Sequence, residues 1–370
     1  MTLSIAGLGT ALPPYSITSD LMADFCAPFC CDNAEQAEQL RLIFAKSGVR
    51  KKHSVLLEGE CQGGRFPQSF YPQTTGQRGP TTGQRMEAYE RAAPGLAQEA
   101  AQRALAEAGV SPQDITHLVT ASCTGFMAPG IDMALIERLG LRPTVERTHV
   151  GFMGCHGAFN ALKVARGCLA AEPDAQVLVC CVELSTLHFF SGWDPEKIVA
   201  NSLFADGAGA VVCRTADPAP SRNGGAAPSD DWQLAAFGTV KIPDSGPAMT
   251  WKIGDFGFDM GLSRRIPELI MRNLPGYVTA WLDRQGLTIA DIGSWAVHPG
   301  GPKILEAVER GLKLPDGALN RSHETLAEYG NMSSPTVLFI LDRMRRENAP
   351  RPCVALGFGP GMVAEAALFV

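Results

Sequence analysis

Residues 108–119, "AGVSPQDITHLV", recur 177 positions later as "QGLTIADIGSWA" at 285–296, so that Gly109 meets Gly286 and Asp114–Ile115 meets Asp291–Ile292. The same offset lays "GCHGAFNALKVAR", from Gly154, on "NMSSPTVLFILDR", from Asn331. It also lays "VLVCCVE", from Val177, on "VALGFGP", from Val354. Three segments at one offset describe a duplicated α/β unit, each copy running helix, strand, turn, buried helix, strand.

The helices after Cys155 and Asn331 are apolar almost all round ("AFNALKVARGCLA", "TVLFILDRM"), which places both in the middle of the protein. Two central helices between two sheets, with more helices outside, make a five-layered α/β/α/β/α fold. Pseudo-twofold symmetry then brings the N-termini of both buried helices to one region. Ser334–Pro335 marks the second helix start, with Ser as N-cap and Pro as the first helical residue. The halves are read as residues 1–222 and 223–370, divided within the turn-forming stretch "RTADPAPSRNGGAAPSDD" at 214–231. Met86–Gly109 predicts a long helix with a glycine stop, bent or divided at Pro94. Residues 66–85, with TTGQR twice among Pro and Gly, predict a surface loop.

Charge and cysteine usage narrow the function classes. A net charge of −6 argues against general nucleic-acid or membrane-surface binding, so a phosphate-bearing ligand needs a local basic patch. No apolar run approaches the roughly 20 residues of a membrane span. The start, "MTLSIAGLGTALPPYS", reads as a first strand and not a signal peptide. With 11 cysteines, an odd number, free thiols in a reducing cytoplasm are expected. Cys26, Cys30 and Cys31 cluster, but no second CxxC or Cys/His pair completes a zinc site, and no metal is expected.

Cys155 stands apart from the thiols inside apolar runs because Gly154 and Gly157 flank it at a helix start. There the positive end of the helix dipole lowers a thiol's pKa. A small buried hydrophobe is the competing reading, and local context leaves both open. The second half adds His298, which ends the apolar strand 294–297 before a Pro-Gly-Gly turn and falls opposite Ala121 in the duplication. Symmetry brings His298 and Asn331 toward Cys155, and Cys, His and Asn from separate turns form a reaction-competent set.

"GC" before a buried helix, "HPGGPKILEAVE", "GNMSSPTVLFILDRMR" and "GFGPGMVAEAALF" resemble the signature segments of type III polyketide synthases, the chalcone and stilbene synthase superfamily on the thiolase fold. The resemblance implies an acyltransferase, homodimeric, with no metal or prosthetic group, acting on coenzyme A thioesters. Cys155 would carry a starter acyl group; His298 would favour its thiolate; His298 and Asn331 would bind the malonyl-CoA carbonyl and stabilise the enolate formed by decarboxylation. Repeated Claisen condensation and cyclisation would follow. The amide of Cys155 and one from the Gly357-Phe358-Gly359-Pro360-Gly361 turn would form an oxyanion hole.

By the same resemblance Phe204 gates the cavity, and Arg50, Lys51 and Lys52 match a basic run that would hold the coenzyme's phosphates. Segment 123–132, "CTGFMAPGID", is where a partner subunit would approach. Ser333 is retained from the family pattern. Trp251 stands where plant enzymes have a cavity glycine, Cys123 and His188 where they have threonines, and Met260 where they have a gate phenylalanine. A filled cavity implies few extensions, or an aliphatic chain directed into another tunnel, and a pyrone or small phenolic product. His156, after the nucleophile, either tunes Cys155 or faces the helix surface. A ketoacyl-ACP synthase III-like enzyme making one condensation on an acyl carrier protein is the alternative, although it would favour a basic docking surface. A silent acyl-CoA-binding partner would have lost Cys, His or Asn, and all three are present.

Overall fold

A computed structural model describes residues 2–61, 66–71, 79–216 and 232–370. The first half contains β1 (Leu3–Ala11), β2 (Ser16–Thr18), α1 (Ser19–Cys30), α2 (Ala34–Ala45), β3 (Lys51–His53) and α3 (Thr82–Ala108). It continues with β4 (His117–Ser122), α4 (Ile131–Leu139), β5 (Glu146–Gly151), α5 (Gly157–Ala171), β6 (Val177–Leu184), α6 (Pro195–Leu203) and β7 (Asp206–Thr215). The second half contains β8 (Trp232–Lys241), the hairpin β9 (Met249–Gly254) and β10 (Gly257–Leu262), α7 (Ile266–Asp283), β11 (Ser294–Val297) and α8 (Pro302–Leu312). It ends with α9 (Asn320–Tyr329), α10 (Thr336–Arg346), β12 (Cys353–Gly359) and β13 (Val363–Phe369).

The duplication is visible residue for residue. Short 3-10 turns at Pro112–Asp114 and Ile289–Asp291 precede β4 and β11, whose first residues are His117 and Ser294. β4 pairs parallel with β6 as β11 does with β12, and β7 and β13 then pair antiparallel with β6 and β12. The sheet order is β11-β12-β13-β8-β1-β7-β6-β4-β5. The two half-sheets are hydrogen-bonded into one through Leu3↔Leu234, Ser4↔Gln233 and Ile5↔Trp232, a join that sequence patterning does not foretell.

Period-two alternation assigns the layers. Val177, Val179 and Cys181 of β6 and Cys353 and Ala355 of β12 share one core with α5 and α10. The intervening Leu178, Cys180 and Val182 face α1, α2 and α3, while Val354, Leu356 and Phe358 face α7 and α8. Helix, sheet, paired helices, sheet, helix is the five-layered thiolase arrangement. Among the described residues no helix is long and apolar enough to cross a membrane.

Four local expectations change. α3 runs unbroken through Pro94. It starts at Thr82, earlier than read, because Thr81 and Gln84 form a reciprocal capping box, so the second TTGQR copy opens a helix and is no loop. The first copy, at 74–78, falls within 72–78, outside the described residues. Ser334 does not cap α10: its hydroxyl donates to Glu183 Oε1 at 2.7 Å, and Pro335 occupies the cap position. Of the predicted linker, Arg214 and Thr215 complete β7, and 217–231, with the 222/223 boundary, lies outside the described residues.

Candidate active site

Cys155 lies in the single turn Gly154–His156 that leads into α5. The turn is tight: Gly154 has φ +73°, and a Cβ there would sit 2.2 Å from Pro360 Cδ, so the Cys155 turn and the Gly357–Gly361 segment are in direct contact. A Cβ on Gly157 would come 3.2 Å from Ser334 Cβ, which shows how closely the two buried helix starts approach. Asn331 is delivered by an isolated parallel bridge to Phe204, with Asn331 N–H donating to Leu203 O and Ala205 N–H to Asn331 O, both at 2.9 Å. Ser333, at φ +58°, donates its amide to Asn331 Oδ1 at 2.8 Å, which orients the Asn amide group.

Burial pushes the Cys155 thiol up to about 11, against hydrogen bonds from Ser333 and Asn331 that favour the thiolate. The helix start therefore does not produce a low-pKa cysteine in the unliganded site; desolvation wins. His298 follows β11, its N–H donating to Leu356 O at 2.8 Å. It is buried, held down to about 3 by desolvation and then by the charge of His156. Neither of its ring nitrogens has a hydrogen-bond partner among the described residues. The resting pair is thus a neutral thiol and a neutral imidazole.

Cys155, Phe204, Ala200 and Met260 form one apolar cluster. The cavity at Cys155 measures about 20 Å³ and is also lined by Cys123, Trp251 and Ser333. That is room for a single water, so the side chains lining it must move before anything larger can enter. Trp251 Nε1–H donates to Cys123 O at 2.7 Å. His188 donates from Nε2 to Thr124 O at 2.8 Å and accepts at Nδ1 from Phe258 N–H at 3.0 Å, a locked neutral tautomer held to about 3 by burial. Its ring stacks on Phe258 at 4.2 Å, with Trp251 edge-on to both. Phe258 was not singled out in the sequence; an aromatic between two glycine-bearing turns carries no signal of its own.

Glu183, also missed, is the most buried acid beside the site. It accepts from Cys123 N–H at 2.9 Å, Thr124 Oγ1 at 2.7 Å and Ser334 Oγ at 2.7 Å, yet burial raises it to about 7. A carboxylate inside "VLVCCVEL" was the available signal.

The oxyanion turn is narrowed by its own bonding. Pro360 has no N–H, and Gly361 N–H is taken by Met249 O at 2.9 Å. Gly357 and Gly359 are paired with Glu365 and Val363 of β13, so the amides of Cys155 and Phe358 remain as candidates. Phe358 points into the outer core and away from the cavity. His156 does not face the helix surface: it is buried, and a Cβ on Gly359 would lie 2.3 Å from its ring. Its Nδ1 shares a 2.8 Å hydrogen bond with Asn160 Oδ1.

The basic run divides. Arg50 and Lys51 are exposed, whereas Lys52 is fully buried and cannot meet a phosphate. Its Nζ donates to the carbonyls of Asn201 at 2.6 Å, Phe204 at 3.0 Å and Ser202 at 3.3 Å.

Two family models cover nearly the whole chain: the chalcone and stilbene synthase N-terminal domain over residues 2–218 and the corresponding C-terminal domain over 233–370. The chain belongs to the chalcone and stilbene synthases. It is a type III polyketide synthase, an acyltransferase. The chain is 35% identical to 1,3,6,8-tetrahydroxynaphthalene synthase of Streptomyces peucetius, over 98% of this chain and 91% of that one. It is 32% identical to the alpha-pyrone synthesis polyketide synthase-like Pks18 of Mycobacterium tuberculosis, over 99% and 90%. The crystal structure of PKS-I from the brown alga Ectocarpus siliculosus superposes with a TM-score of 0.90 at 29% identity, covering 100% of this chain and 98% of that one.

Proposed function

We propose that this type III polyketide synthase loads a small starter acyl group on Cys155, extends it a few times with malonyl-CoA and releases a pyrone or small phenol. Cys155 Sγ attacks the starter thioester after passing its proton to His298, and the coenzyme A thiol leaves. Malonyl-CoA then binds with its thioester carbonyl against His298 and Asn331. Loss of carbon dioxide puts negative charge on that oxygen, where two aimed donors are worth most because water is excluded. The enolate carbon attacks the Cys155 thioester, which expels the Cys155 sulfur and leaves the extended chain on coenzyme A; before each further round that chain passes back to Cys155 and the coenzyme A thiol leaves.

Two observations support this reading: the side chains of Asn331 and Ser333 that hydrogen-bond the buried Cys155 thiol, and the buried, unpartnered imidazole of His298, which lies within reach of the charge of His156, the residue after Cys155. A product of few units follows from Trp251, which lines the Cys155 cavity and is backed edge-on by His188 and Phe258. Arg50 and Lys51 are the proposed phosphate ligands, and no cofactor or metal takes part. A homodimer, formed in the cytoplasm, is proposed through Phe126, 48% exposed, and Met153, 42% exposed, beside a cavity of about 440 Å³ that Phe126, Met127 and His149 line.

The test is mass spectrometry of products from purified enzyme, malonyl-CoA and a panel of acyl-CoA starters. Triketide or tetraketide products from short starters are expected. A single condensation that needs malonyl-ACP would replace this reading with the carrier-protein one.

A further inference from the structure

Lys52 was freed by its burial from any part in phosphate binding, and its place in the fold gives it another. The side chain crosses from β3 to the C-terminal end of α6, where three backbone carbonyls, of Asn201, Ser202 and Phe204, accept from the one ammonium. A helix C-terminus has unpaired carbonyls and carries the negative end of the dipole, so a cation with three donors suits it. The rings of Phe44 and Phe189 lie 5.6 and 5.1 Å from Nζ and close the rest of its surroundings. Burial pulls the ammonium down to about 8, and the nearby Asp206 carboxylate works against that.

The same residue abuts the second arm of the site. Gly330, at φ +73°, comes so close that a Cβ there would sit 3.3 Å from Lys52 Cβ and 3.0 Å from Leu203 O. Gly330 precedes Asn331, and the segment is held further back by Arg50 N–H donating to Ala327 O at 2.8 Å. β3 therefore stands at the crossing of the two segments that deliver Phe204 and Asn331, and these segments meet in the Phe204↔Asn331 bridge.

We propose that Lys52 is a positioning residue, whose ammonium pins the end of α6 against the Gly330–Asn331 segment and so sets the gate Phe204 and the donor Asn331 relative to Cys155. This rests on the roles proposed above for Phe204 and Asn331. Arg50 and Lys51, the two residues before it, face solvent, so the stretch 50–52 joins the proposed phosphate contacts to the geometry of the reaction.

The experiment combines hydrogen–deuterium exchange with kinetics on Lys52→Met and Lys52→Arg in the full chain. Exchange of peptides spanning 199–205 and 329–333 should quicken in Lys52→Met, with peptides of β6 unchanged. The kcat for malonyl-CoA decarboxylation should fall by about 10²-fold, as a displacement of about 1 Å at a reacting group costs. KM should stay within about twofold, and one acyl group should still load on Cys155. Lys52→Arg keeps the charge but not three convergent donors, and should show the same signature more weakly; it decides the matter if the Met variant does not fold. Uniform quickening across all peptides, or local quickening with wild-type kcat, would overturn the proposal. If the wild type does not decarboxylate malonyl-CoA, the reaction assignment fails, while local exchange still tests the pin.

Discussion

Trp251→Gly should lengthen the product. The Trp251 side chain lines the cavity at Cys155, hydrogen-bonds to the Cys123 carbonyl and stands edge-on to His188 and Phe258 at 5.5 and 5.7 Å. Its removal takes out about ten non-hydrogen atoms from a packed wall, and each malonyl extension adds about three, so at interior packing density there is room for up to about three further units. Relaxation of Met260 and Phe258 into the space reduces that, and one to two extra units is the expected gain. The cost in stability is about 3 kcal/mol, toward the low end for a large aromatic because Trp251 is only half-buried. The assay is liquid chromatography with mass spectrometry of wild type and variant on the same short starter, with circular dichroism to verify folding. A folded, active Trp251→Gly enzyme with an unchanged product length would refute the inference that this wall limits elongation.

Other perturbations act on separate parts of the site. Asn331→Ala and His298→Ala should each slow release of carbon dioxide from malonyl-CoA by about 10²–10³-fold, measured with labelled malonyl-CoA; a loss under threefold would remove either from the enolate-stabilising role. Glu183, raised by burial from 4.5 to about 7, binds its proton more readily in the folded chain. Stability should therefore decline as pH rises from 4.5 to 7, by about 3 kcal/mol from this group, and Glu183→Gln should lack that decline in urea titrations across the window. Equal pH dependence in both would contradict the assignment. Phe126→Glu should turn a dimer into a 39.4 kDa monomer by light scattering; an unchanged mass would place the interface elsewhere.

The halves of the fold were legible because duplication is a statement about register: the 177 offset carries Pro112–Asp114 onto Ile289–Asp291 and His117 onto Ser294 without slippage. Apolar-all-round helices after Cys155 and Asn331 placed the centre of the fold. What stayed hidden depends on side chains meeting across the fold. Lys52 looks like its neighbours Arg50 and Lys51, yet the strand β3 alternates, pointing Lys52 inward and Lys51 outward. Three residues of a strand are too few for a period to be read. Pro94 does not divide α3, because the turns on either side and the packing of its buried face carry the helix through it. Ser334 reads as a cap from its neighbours, but Glu183, 151 residues away, claims its hydroxyl. The high thiol pKa of Cys155 also needs the fold: the helix start was visible, the desolvation that outweighs it was not.

The central claim is that Cys155 carries the growing chain. Purified enzyme incubated with a starter acyl-CoA and no malonyl-CoA, then digested and analysed by mass spectrometry, tests it directly. The account predicts one acyl group on the peptide containing Cys155, discharged on adding malonyl-CoA, and neither adduct nor product in Cys155→Ala. An acyl group on Cys123 or Cys61 in its place, or turnover that survives in Cys155→Ala, would contradict it.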